Sequence, residues 1–251
     1  MAIVLITGAT SGFGEACSKK FAANGYDLII TGRREERLQL LQQQLEQQHN
    51  IKVLPLCFDV REEKAVTATL NAIPAQWKAV DILINNAGLA MGASSIDQGD
   101  LSDWDTMIDT NVKGLLYVSR TVIPWLKAQG KGHIINLGST AAKAVYANGN
   151  VYCATKAAVD SISQAMRIDL LSYHIKVTAV HPGAAETEFA VVRFKGDTEK
   201  ANNVYKGFTP LKGEDVADTI YYCATLPAHV CINDLVITCL QQANAYYILK
   251  E

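Results

Sequence analysis

IVLITGATSGFG spans Ile3–Gly14, and its reading decides the fold. Ile3 to Ile6 form an unbroken apolar run, too short for a helix but long enough for a strand covered on both faces. Gly8, Gly12 and Gly14 follow at once. Glycine lets the chain turn sharply and lets a ligand come close to the backbone. A helix starting at Gly12 presents unpaired N–H groups and the positive end of its dipole to that turn. Strand, glycine turn and helix thus open an α/β domain with an anion seat at the end of the first strand. A purely structural glycine turn is the rival reading.

Outward from this stretch the pattern alternates. Apolar runs of strand length lie at 3–6, 28–31, 53–57, 82–84, 133–137, 176–180 and 235–238. Helical stretches separate them, at 12 onward, 35–48, 63–72, 104–128, 151–172 and 214–225. Leu38, Leu41 and Leu45 share one face of the glutamine-rich second stretch. Continuously apolar strands alternating with helices predict one α/β domain, a doubly wound sheet of about seven parallel strands with helices on both faces. No Gly/Pro-rich linker divides residues 1–251, and no repeat is visible. The segment from Gly183 to Lys212 breaks the rhythm, and a long insertion after a strand end is expected to act as a lid or binding loop.

Composition narrows the classes. The chain is 49% hydrophobic and 19% charged with a net charge of −2, so no field favours nucleic acid or an acidic membrane. Six cysteines without a CxxC pair read as free, buried thiols in a reducing compartment. The five histidines lack metal-ligand spacing. The N-terminus lacks the basic start of a signal peptide, and no run is long enough to span a bilayer, so a cytoplasmic enzyme is expected.

Each later strand end carries its own chemistry. The glycine turn is spaced G-x-x-x-G-x-G, a variant of the dinucleotide turn G-x-G-x-x-G. The second strand ends IITGRR. Arg33 and Arg34 stand where an NAD-binding protein usually carries an acid, and two guanidiniums suit the 2′-phosphate of NADP. A solvated start to a charged helix is the alternative. The third ends FDV, where Asp59 accepts from an adenine amino group, caps the next helix, or both, with Val60 beside it. The fourth ends INNAG: Asn85 and Asn86 bond neighbouring loops, and Gly88 allows close approach, unless this is a plain turn. The fifth ends NLGST, placing Ser139 where ligands bind in open α/β sheets. Thirteen residues on, VYCATK sets Tyr152 and Lys156 one helical turn apart. An ammonium beside a phenol is expected to lower its pKa until it exchanges protons near neutrality. An aromatic and a charge on a half-buried helix is the bland account of the same pair.

TGATSGFG, NNAG, a serine at the fifth strand end, YCATK and HPG in this order resemble the short-chain dehydrogenase/reductase family over nearly the whole chain. GRREERL, WDTMIDTN, GNVYCATKA, VRFKGD and LPAHV are similar to its NADP-dependent 3-hydroxy acid dehydrogenase branch, also described as L-allo-threonine or serine 3-dehydrogenases. The resemblance implies a Rossmann-type fold and Tyr152 as the acid/base. It implies that Lys156 lowers the phenol's pKa and holds the nicotinamide ribose, that Ser139 bonds the substrate oxygen, and that Asn111 supports a water relay. NADP would lie on Gly8, Thr10, Ser11, Gly12, Phe13, Gly14, Arg33, Arg34, Asp59, Val60, Asn86, Ala87 and Gly88, and on Tyr152 and Lys156. Pro182, Gly183, Ala185 and Thr187 would clamp its nicotinamide end. A homotetramer is implied too, with the C-terminal tail near an interface.

A small acid needs a cation for its carboxylate. Arg193, in VVRFKGD, is the first candidate for the substrate site and Lys195 the second; a surface arginine on a mobile loop is the competing reading. Lys143, between Ser139 and Tyr152 near the strand end, is a further candidate for that carboxylate, and a lysine there would alter the pocket. Ala184 and Ala185 are smaller than the pair expected after Pro-Gly, which puts side-chain packing on the nicotinamide in doubt. Serine, L-allo-threonine and 3-hydroxypropionate are the expected substrates. The alternatives are a reductase for neutral ketones or 3-oxoacyl thioesters, and a non-catalytic NADP sensor.

Overall fold

A computed structural model describes residues 1–251. Seven parallel strands form one sheet in the order β3-β2-β1-β4-β5-β6-β7, with β1 Ile3–Ile6, β2 Asp27–Gly32, β3 Val53–Cys57, β4 Val80–Asn85, β5 Gly132–Leu137, β6 Ile175–Pro182 and β7 Asp234–Ile237. This is a single Rossmann-type α/β domain. The helices are α1 Gly12–Ala23, α2 Glu35–Gln48, α3 Glu63–Ala72, α4 Leu101–Ile108, α5 Leu115–Gln129, α6 Asn150–Leu170, α7 Phe189–Arg193, α8 Thr198–Val204 and α9 Gly213–Thr225.

β1 is buried along its whole length, as its apolar run requires. One core cluster packs Val4, Ile6, Leu28, Ile30 and Ile84 against α1, α2 and α9; the other packs Leu5, Ile29 and Leu83 against α3, α5 and α6. Alternate residues of each strand thus feed opposite faces. Leu38, Leu41 and Leu45 are the buried residues of α2. Chain order reverses between β1 and β4, and the carboxyl ends of these two strands open the crevice where ligands bind in such sheets.

Three expectations need correction. The helix read over 104–128 is interrupted: α4 ends at Ile108, a π-helical segment covers Asp109–Gly114, and α5 follows. Gly114 sits there because a Cβ would come 2.7 Å from Val60 Cγ2. β7 stops at Ile237 rather than at residue 238. Not every thiol is buried, since Cys57 is exposed at the end of β3, although all six are free.

Segment 183–212 contains α7 and α8 and has a closed neck. Glu186 N–H donates to Leu211 O at 2.8 Å and Leu211 N–H to Ala184 O at 3.0 Å. The segment therefore leaves and rejoins the body at one point, above the ends of the strands. No helix is long and apolar enough to cross a membrane.

Candidate active site

The anion seat is built by backbone crowding. Gly8 and Gly12 have φ of +68° and +54°, the left-handed region that glycine takes without strain. Gly14 is needed for space: a Cβ there would lie 2.3 Å from Gly8 O and 2.5 Å from Asn86 Nδ2. Asn86 locks the turn by donating to Thr7 O at 2.8 Å and Gly8 O at 3.1 Å. Ser11 precedes α1 in extended geometry, and its hydroxyl takes none of the first-turn N–H groups. Those donors point into the cleft, as a pyrophosphate requires.

The cleft has a volume of about 480 Å³. Among its walls are Gly8, Thr10, Ser11, Gly12, Phe13, Arg33, Arg34, Asp59, Val60, Asn86, Ala87 and Gly88 at one end, and Ser139, Tyr152, Lys156, Pro182, Gly183, Ala185, Thr187 and Arg193 at the other. Gly14, Asn85, Asn111, Lys143 and Lys195 lie outside it. Gly14 supports the turn from behind. Asn85 is buried and donates to Ser119 Oγ and Asn136 Oδ1, both at 2.9 Å. Asn111 projects from the π-helical segment, donating to Leu89 O at 2.8 Å and Thr155 Oγ1 at 3.0 Å. A Cβ on Gly88 would lie 3.2 Å from Asn111 Oδ1 and 3.3 Å from Lys156 Nζ, so these two side chains meet behind that glycine.

Lys143 and Lys195 are both neutralised elsewhere. Lys143 pairs with Asp160 at 2.9 Å and with Asp234. Lys195 pairs with Asp103 at 2.9 Å and Asp100 at 3.5 Å. Arg193 remains: its Nε donates to Gly92 O at 3.2 Å and one terminal nitrogen to Tyr146 Oη at 2.9 Å. Its guanidinium carbon is 6.0 Å from the Tyr152 ring centroid.

Tyr152 lies in the first turn of α6, and Lys156 one turn on donates to Leu137 O at 2.8 Å. The expected depression of the phenol's pKa is reversed here. Burial raises Tyr152, and the Ser139 hydroxyl and Arg193 charge offset it only in part. The Lys156 ammonium is 6.0 Å from the ring centroid and engaged with a carbonyl, so it does not overcome that burial. Burial in turn pulls Lys156 down to about 8. At neutral pH the phenol is protonated, the form that donates to a carbonyl oxygen.

Arg33 and Arg34 both line the cleft, and one of the alternatives for Asp59 drops out. Arg34 does not stand free: it donates to Thr10 O and Thr10 Oγ1 and pairs with Glu188 at 2.9 Å, while Arg37 holds the other Glu188 oxygen at 2.8 Å. Asp59 does not cap α3, whose N-cap position is held by Glu62 without a side-chain bond. Its carboxylate accepts from the Arg61 backbone N–H at 3.0 Å and from the Arg61 guanidinium at 2.7 Å, with Arg33 at 3.7 Å. Burial pushes Asp59 up, but Arg61 and Arg33 together hold it below the usual carboxylate range.

Residues 2–197 match the pattern of the family described as short chain dehydrogenase. The chain belongs to that family. This short-chain dehydrogenase is 47% identical over 244 residues to an NADP-dependent 3-hydroxy acid dehydrogenase of Salmonella typhi, covering 97% of each chain. It is 48% identical over 242 residues to sulfoacetaldehyde reductase 2 of Chromohalobacter salexigens, covering 96% of this chain and 95% of that protein. A closed form of serine dehydrogenase complexed with NADP+ superposes with a TM-score of 0.92 at 46% identity, over 99% of both chains.

Several cleft residues of this short-chain dehydrogenase escape a sequence reading. Tyr146 carries Arg193. Phe189 packs its ring edge on Tyr152, with centroids 5.6 Å apart. Gln242, in the C-terminal tail, accepts from Ala184 N–H at 2.7 Å. No motif announces these residues, because their contacts span 37 to 58 positions of sequence and exist only once the chain is folded.

Proposed function

We propose that this short-chain dehydrogenase is an NADP-dependent oxidoreductase that moves a hydride between the nicotinamide and the 3-hydroxyl carbon of a small 3-hydroxy acid. The observation that carries this reading is Arg193: a guanidinium over the Tyr152 ring, in the same cleft as the proton donor. It gives a carboxylate a partner a few ångströms from the reacting oxygen. The Salmonella and serine dehydrogenase relatives have this substrate class in their names, which supports the reading. Arg33 and Arg34 at the end of β2 favour the 2′-phosphate of NADP.

The glycine turn and the N-terminus of α1 fit the dinucleotide's pyrophosphate. Bound NADP supplies the hydride acceptor and NADPH the donor. The chain's own task is to move one proton and to steady an oxygen whose charge changes. In reduction Tyr152 donates its proton to the carbonyl oxygen; in oxidation the phenol first releases its proton into the relay beside Lys156, and the phenolate then accepts the hydroxyl proton. Ser139 hydrogen-bonds the same oxygen. Lys156 stabilises the phenolate and passes the proton on behind Gly88, where Asn111 adjoins it. Segment 183–212 serves as a lid that carries Arg193 to the substrate, and Ala185 and Thr187 at its base line the nicotinamide end. We place the enzyme in the cytoplasm as a homotetramer. Exposed Ile168 and Leu171 at the end of α6, and Val236 on the edge strand β7, support association.

A second reading, reduction of a small sulfonated aldehyde, is favoured by the same arginine, since a sulfonate pairs with it as a carboxylate does. The test compares initial rates on L-serine, L-allo-threonine, 3-hydroxypropionate and sulfoacetaldehyde with both cofactors. Turnover of the hydroxy acids with NADP is expected, with an Arg193→Ala variant raising KM on them about 10- to 100-fold while sparing neutral ketones. Tyr152→Phe is expected to lower kcat by about 10²- to 10⁴-fold on every substrate. Equal loss on acids and neutral ketones in Arg193→Ala would refute the carboxylate role.

A further inference from the structure

His181 is the next-to-last residue of β6, in the His-Pro-Gly stretch, and the proposed reaction assigns it no role. Its ring is fully buried. Ser139 N–H donates to its Nδ1 at 3.3 Å, and the Ser139 carbonyl oxygen lies 3.2 Å from the same atom. The fit is tight, because a Cβ on Gly138 would stand 2.3 Å from Nδ1. Nε2 has no hydrogen-bond partner, and neither has Asp160 Oδ1. That nitrogen faces Asp234 Oδ1 at 3.5 Å and Asp160 Oδ1 at 3.7 Å. The other oxygen of each aspartate holds Lys143. The His181 nitrogen and the two carboxylates lie within 4.8 Å of one another, a spacing open to a divalent cation. Lys143 already provides the positive charge between the two carboxylates, so the cluster needs no metal to balance it.

Two carboxylates in front of Nε2 favour the proton on that nitrogen. Nδ1 is then an acceptor, and the Ser139 N–H fills it. We propose that His181 is a positioning residue for Ser139: its neutral ring, set in one tautomer by Asp160 and Asp234, fixes the Ser139 peptide and through it the direction of the hydroxyl. Ser139 Oγ also accepts from Ala141 N–H at 3.1 Å, so the side chain and its peptide are tied into one rigid turn. Protonation of Nδ1 replaces the acceptor with a donor. The Ser139 N–H then meets a donor, the carbonyl becomes the partner, and the turn has to shift. The groups facing the ring are Ser139 and Lys143 from the turn after β5, Asp160 from α6 and Asp234 from β7. Burial and Lys143 outweigh the aspartates and hold His181 below its ordinary pKa, so the acceptor form prevails at neutral pH.

The inference rests on Ser139 holding the reacting oxygen, as proposed above. A double-mutant cycle of His181→Phe and Ser139→Ala separates the two. It is read on L-serine oxidation, or on reduction of a neutral ketone with NADPH if no hydroxy acid is turned over, since Ser139 serves either. His181→Phe is expected to lower kcat between about 10- and 100-fold, with the NADPH dissociation constant within about twofold of wild type. In the Ser139→Ala background the same change is expected to cost less than about twofold, because the group it positions is gone. Equal factors in both backgrounds would mean that His181 only supports the fold, and would overturn the proposal. No loss in Ser139→Ala alone would refute the role of Ser139 and remove the premise. Should His181→Phe fail to fold, Lys143→Met on the surface gives a second reading. It leaves both aspartates to stabilise the protonated ring, so the acid limb of the kcat profile moves to higher pH while the rate on the alkaline side of that limb is retained. An unmoved limb would overturn the proposal.

Discussion

Replacing Lys156 by methionine should stabilise the protein at pH 7 and destabilise it at pH 10.5. The buried ammonium titrates at about 8 instead of 10.5. At about 1.4 kcal/mol per decade, that difference corresponds to about 3 kcal/mol of burial cost. The sign follows from proton counting. Below 8 both folded and unfolded chains hold the proton, and the folded state carries the full cost. Between 8 and 10.5 the unfolded chain holds more protons, so wild-type stability rises with pH. Above 10.5 the amine is neutral in both states and the cost has gone. Methionine removes the cost at every pH but also loses the bond to Leu137 O, worth about 1 kcal/mol. The variant should therefore gain about 2 kcal/mol at pH 7, or about 4–8 °C in Tm for a chain of this size. At pH 10.5 it should lose about 1 kcal/mol. Urea denaturation of both proteins at matched concentration, from pH 6.5 to 10.5, reads the difference, and contributions from other titrating groups cancel. Activity should collapse in the variant throughout. A stability difference that does not change with pH would refute the buried-ammonium argument. Loss of stability at pH 7 would show that Lys156 is held by more than the Leu137 bond.

Two other perturbations test the cofactor end. Gly14→Ala should destabilise the protein by about 1–3 kcal/mol and weaken binding of both NADP and NAD, because its Cβ collides with Gly8 O and Asn86 Nδ2; urea midpoints and fluorescence titration check this, and unchanged values would refute the crowding argument. Burial raises Glu188, but Arg37 and Arg34 hold it well below the usual carboxylate range. Glu188→Gln should therefore free two guanidiniums. NADP should bind several-fold tighter with NAD unchanged, while stability moves by less than about 1 kcal/mol, since these ion pairs are about half exposed. Equal change for both cofactors would refute the competition between Glu188 and the 2′-phosphate.

The order of elements is legible in the chain itself. Ile3–Ile6 reads as a strand covered on both faces, because the apolar run is continuous and short, and β1 is buried throughout, whereas the edge strand β7 leaves alternate residues exposed. Gly8, Gly12 and Gly14 specify a turn that no other residue fits, since two need positive φ and the third has no room for a Cβ. Tyr152 and Lys156 fall on one face by helical geometry alone. These are local constraints, written within a few residues of where they act.

What the tertiary structure decided is of another kind. The pKa of Tyr152 depends on how deeply the ring is buried, and helical spacing carries no measure of depth. Lys143 and Arg193 are both cations near Ser139 in sequence or in space. Only folding shows that Asp160 and Asp234 neutralise the first while Tyr146 and Gly92 turn the second into the cleft. The break between α4 and α5 that directs Asn111 inward to Thr155, the Glu188 clasp on Arg34, and the ring of His181 against Ser139 are likewise contacts across 42 to 154 positions. A sequence specifies such contacts only through the whole fold, because burial and charge partners are properties of the packed molecule and not of any segment.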